Sequence, residues 1–429
     1  MSTRYRQSEA LLDRALRTIP LGSQTFSKSK TQYPYGVSPY FIEKGLGSRV
    51  WDADGNEYID YVGSLGAVLL GYRDPDVDEA VRRQMENGVS FSLAHPLEMQ
   101  VAEKLTELIP CAEMVRFGKN GSDATAGAVR LARAYTSREH VAVCGYHGWQ
   151  DWYIGSTARH LGVPQAVRDL THPFVYNQLE SLEQLFSDYP GQLAAVILEP
   201  MNTTEPAHGF LEGVQRLCRK HGTVLIFDET VTGFRFGLGG AQQAFGVTPD
   251  LATFGKGMAN GYPISAVVGR SELMKGMEEI FFSFTFGGET LSLAASLATL
   301  RKLESHPVIP AIHAAGRRIM DGIRGAVRLY GLEQVLSLTG SPPWSFLSAG
   351  DIGPYSTWEI KTFYLQEMLA RGMLTLGAHT ISYSHTDEDV SLLLLAYDEV
   401  LEQLASALQR GDLIERLQCR PLEPLFRVR

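Results

Sequence analysis

The chain has 429 residues, a formal net charge of −9, and 44% hydrophobic against 20% charged residues. That composition excludes a mainly disordered chain, and at about 150 residues per domain the length predicts two to three structural units. The acidic balance, with a pI near 5.7, lacks the electrostatic footprint of a dedicated nucleic-acid binder and favours small-molecule or protein partners. No apolar run reaches the roughly 18–20 residues that span a bilayer, and the first twenty residues are charged throughout, so a soluble cytoplasmic protein is expected. The four cysteines, Cys111, Cys144, Cys218 and Cys419, lie far apart without a CxxC pair. Neither a disulfide framework nor a zinc cluster is indicated, and buried thiols are expected.

Residues 8–19 carry Leu11, Leu12, Ala15, Leu16 and Ile19 at helical spacing before Pro20 and Gly22, which predicts one helix stopped there. Around 40–62 the pattern shortens to strands, YFIEKG and SRVWDADGNEYIDYV, with Asp54-Gly55 as a hairpin turn. From about 98 helix and strand alternate, with strand candidates at 140–146, 193–200, 223–229, 250–256 and 265–269. Apolar runs that end in a polar residue predict a mostly parallel sheet covered by helices on both faces. Ligands of such sheets sit beyond the carboxyl ends of the strands, so Glu199, Asp228 and Lys256 are the first candidates. After about 290 come amphipathic helices, a Pro/Gly/Ser-rich stretch at 340–354 and a last helix near 387–409. The expected organisation is an N-terminal segment (1–62) and a C-terminal part (296–429) joined in a small α+β domain, with a large domain at 63–295.

Lys256 lies in TFGKGM, after an apolar strand and between glycines that allow close backbone approach. It reads either as a surface loop lysine or as an amine that attacks a carbonyl to form a Schiff base. Asp228 closes TVLIFDE. A carboxylate buried there needs a partner, either a structural arginine such as Arg235 or a protonated pyridine nitrogen. Gly121-Ser122 feeds an Ala-rich helix, which suits a phosphate cradle or an ordinary N-cap by Ser122 or Asp123. Tyr146-His147-Gly148-Trp149 follows a strand and offers rings either to a planar cofactor or to the core, with His147 as a hydrogen-bonded structural histidine. No second His or Cys stands at ligand spacing, so no metal is expected. Together a lysine, a strand-end acid, a Gly-Ser helix start and a strand-end aromatic are the parts that hold pyridoxal phosphate (PLP).

At these residues the chain resembles the class III, fold type I, PLP-dependent aminotransferases, within them the glutamate-1-semialdehyde aminomutase-like branch. The resemblance runs through VWDADGNEYIDYVGSLGAVLLGY (50–72), VRFGKNGSDATAGAVRLARAYTSREHVAVCGYHG (115–148), ILEPMN (197–202), LIFDETVTGFR (225–235), FGKGMANGYPISAVVG (254–269) and FTFGGETLSLAA (284–295). It implies that Lys256 forms the internal aldimine and shuttles the proton, while Asp228 pairs with the pyridine nitrogen. It further implies Gly121 and Ser122 at the phosphate, Tyr146 stacked on one ring face, Thr230 near the other, and Val231 near the phenolic oxygen. Glu199 is counted among the cofactor contacts. Thr285 matches the threonine that reaches the phosphate of the neighbouring subunit, which implies a homodimer with shared sites.

Two departures bear on substrate. The loop QTFSKSKTQYPYG lacks the branch's carboxylate-binding arginine and offers only Lys28 or Lys30, and LGAHTISYSHT (376–386) lacks the C-terminal arginine of many class III enzymes. The Tyr- and Trp-rich stretches 31–40 and 146–155 suit a larger, sugar-like or hydroxylated substrate. The expected activity is transfer of an amino group from a donor to a ketone or aldehyde, with an intramolecular aminomutase as the alternative. A dinucleotide-dependent oxidoreductase lacks its GxGxxG after the first strand, and a non-catalytic binding protein is disfavoured because Lys256 and Asp228 are both present.

Overall fold

The turn at Asp54-Gly55 is built by its own neighbours: the Asp52 carboxylate accepts the N–H groups of Asp54 and Asn56 at 3.0 and 2.8 Å, and Gly55 takes φ +85°. It joins β2 (Arg49–Asp52) to β3 (Glu57–Asp60) in antiparallel register, with β1 (Ile42–Leu46) on the other side of β2. The computed structural model describes residues 3–423 and divides into two units, one running to residue 74 and resuming at 310, the other spanning 75–309. The N-terminal helix covers Arg6–Ala15, several residues short of the expected Ile19, and Pro20–Gly22 forms a separate short turn. Its buried Leu12 and the ring of Tyr5 belong to the first unit's interior, where Tyr5, Val50, Tyr58 and Leu369 pack together.

The second unit holds a seven-stranded sheet made of β4 (Met114–Gly118), β5 (His140–Cys144), β6 (Thr171–Pro173), β7 (Leu193–Leu198), β8 (Val224–Asp228), β9 (Leu251–Phe254) and β10 (Ser265–Gly269). Their spatial order is β4-β10-β9-β8-β7-β5-β6. Every residue of β7, β8, β9 and β10 is buried, which accounts for their unbroken apolar sequences. Neighbours from β6 to β9 are parallel, whereas β10 is antiparallel to both β9 and β4. Two reversals restore the direction of β4, so the carboxyl ends of β4, β5, β7, β8 and β9 all meet one edge. The helix Gly121–Thr136 starts at that edge and packs over β7–β10, where Val129, Leu131, Ile197 and Ile226 are core.

Back in the first unit, β11 (Leu336–Ser341) and β12 (Trp344–Ala349) form a hairpin that β14 (Ala378–Thr380) extends, and β13 (Met373–Leu374) runs parallel to β3. The Pro/Gly/Ser-rich stretch at 340–354 therefore holds a strand. Two of its three prolines, Pro342 and Pro343, occupy the hairpin turn, where no ladder hydrogen bond is asked of them. The last helix, Asp387–Arg410, is capped by the Thr386 side chain. Cys111, Cys144 and Cys218 are buried free thiols, but Cys419 is only half-buried, a correction to the expectation for all four. Among the described residues no helix is long and apolar enough to cross a membrane.

Ile226 is fully buried in the middle of β8, so Ile226→Ala should lower the unfolding free energy of its unit by roughly 2–5 kcal/mol. A urea midpoint equal to that of the parent would contradict this packing.

Candidate active site

At the shared strand edge sits Asp228, the last residue of β8, 4% exposed. Its Oδ2 accepts a hydrogen bond from His147 Nδ1 at 2.9 Å. Its Oδ1 accepts from the Thr230 N–H at 3.1 Å, the Thr230 hydroxyl at 2.6 Å and the Thr253 hydroxyl at 3.1 Å. Burial pushes the carboxyl up, but the His147 and Thr230 donors outweigh it and hold Asp228 below the ordinary aspartate value. The second ring nitrogen of His147 faces the Cys144 carbonyl at 3.2 Å. Both ring nitrogens thus face oxygen atoms. The ring is sealed by Trp152, stacked at 6.3 Å, and by the edge contact of Tyr153 at 5.2 Å.

Lys256 follows β9 and adopts φ +44°, left-handed backbone that a non-glycine residue holds only under the constraint of its surroundings. Thr230 joins the neighbouring pieces. A carbon added at Gly121 would stand 2.8 Å from its Cγ2, and one added at Gly255 would stand 3.5 Å from the same methyl. The Asp228 turn, the start of the 121–136 helix and the Lys256 loop therefore meet at one threonine.

The N-cap of that helix is Asn120, which replaces the Ser122 or Asp123 cap that the sequence offered as the alternative to a phosphate cradle. Asp123 instead reaches back to accept the N–H groups of Lys119 and Asn120 at 3.2 and 2.7 Å. The N–H groups of Gly121 and Ser122 have no hydrogen-bond partner among the described residues. Gly148, at φ +105°, lets the chain pass so close that an added carbon would lie 2.5 Å from Ser122 Cβ.

Tyr146 and Trp149 are 39% and 68% exposed, so neither is core. The Tyr146 N–H is held by the buried Glu199 carboxyl at 3.0 Å, and Asn202 Nδ2 donates to the same oxygen at 2.8 Å. Gly145, at φ +109°, could carry no side chain there, because a carbon would stand 2.4 Å from Glu199 Oε2. Val231 is half-buried in the turn after Asp228. Thr285 stands apart, exposed in a segment whose Phe281 and Phe286 are 82% and 59% exposed.

Asp228, Thr230, Lys256, Gly121, Ser122, Tyr146 and Glu199 thus collect at one edge. Sequence reading left the partner of Asp228 open and did not reach Thr253. The available signal was the single hydroxyl in the run LATF, which lies opposite Asp228 in the β8–β9 register.

The sequence profile of the family Aminotransferase class-III matches residues 32–341. The chain is 36% identical over 414 residues to a 3-aminobutyryl-CoA aminotransferase of Cloacimonas acidaminovorans, covering 94% of this chain and 98% of that protein. It is 37% identical over 430 residues to a glutamate-1-semialdehyde 2,1-aminomutase of Acetivibrio thermocellus, covering 93% and 97%. Among solved structures it is similar to the FumI protein of Sphingopyxis sp. MTA144 in its PLP internal aldimine form, with a TM-score of 0.88 and 29% identity over 97% of this chain and 99% of that one. The chain belongs to the class III aminotransferases, which are PLP-dependent enzymes with the fold type I architecture.

Because its carboxyl lies below the ordinary value, Asp228 contributes stability that is fully present above its unfolded value, near about pH 4. That contribution disappears as the pH falls through the lower folded value. Between about pH 6 and 3 the urea midpoint of the parent should therefore fall more steeply than that of Asp228→Asn. Parallel curves would contradict a carboxyl held below its ordinary value at Asp228.

Proposed function

We propose that PLP is held at this edge with Lys256 as covalent anchor and Asp228 against the pyridine nitrogen. Gly121 and Ser122 take the phosphate, Tyr146 stacks on one ring face, Thr230 packs by the other, Val231 lies near the phenolic oxygen, and Glu199 contacts the cofactor while positioning Tyr146. The observation that carries the reading is Asp228: a buried carboxyl held in its charged form at the same edge as a glycine-flanked lysine. The donor set fits the cofactor. Two uncommitted N–H groups at a helix start suit a phosphate, and Gly121 and Gly148 keep that start clear of side chains.

Bound there, PLP supplies an electron sink for bond breaking at the amine-bearing carbon. The protein's share is electrostatic and positional. His147 and Thr230 keep Asp228 ionised, which favours a proton on the ring nitrogen facing it. Lys256 Nζ carries the proton from the substrate carbon, and the constrained backbone at residue 256 fixes the direction of its approach. Glu199 holds the Tyr146 main chain so that the ring limits movement of the cofactor plane.

The reaction proposed is intermolecular: an amino group passes from a donor to a ketone or aldehyde, the acceptor being hydroxylated or sugar-like. Support comes from the loop QTFSKSKTQYPYG, which carries no arginine and whose Lys28 donates to the Ser64 hydroxyl at 3.4 Å. The aminomutase reading is favoured by the relatives that carry that name, and turnover without any added donor would select it. The proposed assembly is a homodimer in which Thr285 reaches the second site, supported by its place in an exposed, phenylalanine-rich segment.

Lys256→Ala should keep the fold and lose covalent PLP, with borohydride fixing no cofactor on the chain and turnover falling by at least about 100-fold, the low end for an acid–base group. Retained turnover would overturn the assignment.

A further inference from the structure

Beside the cofactor edge, between the carboxyl ends of β5, β6 and β7, lies a cleft of about 550 Å³. Gly145, Tyr153, Tyr176 and Asn202 line it, and these are the residues that back the Glu199–Tyr146 contact. The Tyr153 ring meets the Tyr146 ring edge-on at 5.7 Å, and Asn202 is bonded to Glu199 at 2.8 Å. The body of the cleft is apolar, with Val143, Pro173, Phe174 and Val175 in its walls.

Four of its hydroxyl groups are bound to the backbone. Tyr153 donates its hydroxyl proton to the Gly145 carbonyl at 2.7 Å and Tyr176 donates to that of Pro200 at 2.8 Å. Ser156 and Thr157 donate to the carbonyls of Tyr153 and Ile154, both at 2.8 Å. Burial and the nearby Cys144 and Glu199 push the Tyr176 phenol up, so it stays protonated and keeps that bond. The protons of these four hydroxyls are thus bound to backbone carbonyls, and Asn202, Thr203 and Thr204 bring further amide and hydroxyl groups to the lining. No Lys, Arg, His, Asp or Glu lines the cleft. A carboxylate, phosphate or ammonium placed there would lose its water without gaining a counter-charge, whereas an uncharged hydroxyl would find hydroxyl and amide partners.

We infer that this cleft is the subsite for a side arm of the amine or carbonyl substrate, an arm with an apolar body that ends in a hydroxyl and carries no charged group. The inference rests on the reading of Lys256 and Asp228 as the PLP site and narrows its substrate class. It separates this chain's substrate from an acyl-CoA or an amino dicarboxylic acid derivative, whose distal groups are anionic.

The test uses the PLP-loaded full-length protein and two amine donors of the same six-carbon chain, one ending in a hydroxyl and one in a carboxylate. Loss of the yellow cofactor band in single-turnover mixing should give kcat/KM at least about tenfold higher for the amino alcohol, equivalent to about 1.4 kcal/mol. Calorimetric titration with the matching alcohol and carboxylate that lack the amine should give the same order. Thr203→Trp, which fills the cleft mouth, should lower the ratio of amino-alcohol to ethylamine efficiency by about tenfold while the cofactor colour is retained. Equal or carboxylate-favouring efficiencies with the cofactor in place overturn the subsite, the latter pointing to Arg159, next to the cleft in sequence. Failure of the protein to take up PLP at all overturns the cofactor reading first and this inference with it.

Discussion

A carboxylate removed from water at the end of a central strand costs several kcal/mol unless charged or hydrogen-bonding partners surround it. Asp228 meets that condition through donors from three places: His147 after β5, Thr230 in its own turn, and Thr253 on β9. Much of the site's geometry follows. Thr253 can reach because β8 and β9 run parallel in register, and His147 can reach because β7 alone separates β5 from β8. His147 is fixed in turn by the Thr125 hydroxyl, which bonds its carbonyl at 2.7 Å and so ties the 121–136 helix to the acid.

Two glycines make room for this arrangement. Gly145 and Gly148 flank Tyr146-His147, both at φ above +100°. The first leaves space for Glu199, whose carboxyl then grips the Tyr146 main chain, and the second lets the loop lie against Ser122 at the helix start. One short segment thus places a ring, a hydrogen-bond partner of Asp228 and the wall beside the helix start together. The same contacts continue outward through Asn202 and Tyr153 into the neighbouring cleft, so the residues that position Tyr146 also shape the space beside it.

The buried parallel strands were legible because LAAVIL, VLIFD and LATF are apolar on both faces, and their ends exposed Glu199, Asp228 and Lys256 to view. Direction was less legible: SAVVG is as apolar as its neighbours yet runs against them, since antiparallel pairing buries the same side chains. Partners across strands depend on register, which is why the His147 and Thr253 bonds to Asp228 could not be read from spacing. In residues 8–19 helical periodicity continued past Ala15, where the chain turns out of the helix, and in 340–354 strand pairing overrode a composition that reads as loop. Exposure of Tyr146 and Trp149 was also a matter of tertiary placement, since aromatic residues at a strand end serve a core or a ligand equally well.

Family, fold and cofactor converge on an enzyme whose chemistry belongs to PLP and whose selectivity belongs to the pocket around it. The proposal turns on whether this strand edge holds PLP and passes an amino group through it to a second molecule. The most direct measurement is the absorption spectrum of the purified protein before and after amino donors are added one at a time. Amino transfer through PLP at this edge should give a yellow band that one donor bleaches to the pyridoxamine form as its carbonyl product is released. A protein that stays colourless when PLP is supplied, or whose colour no donor changes while product forms without any donor, would contradict it.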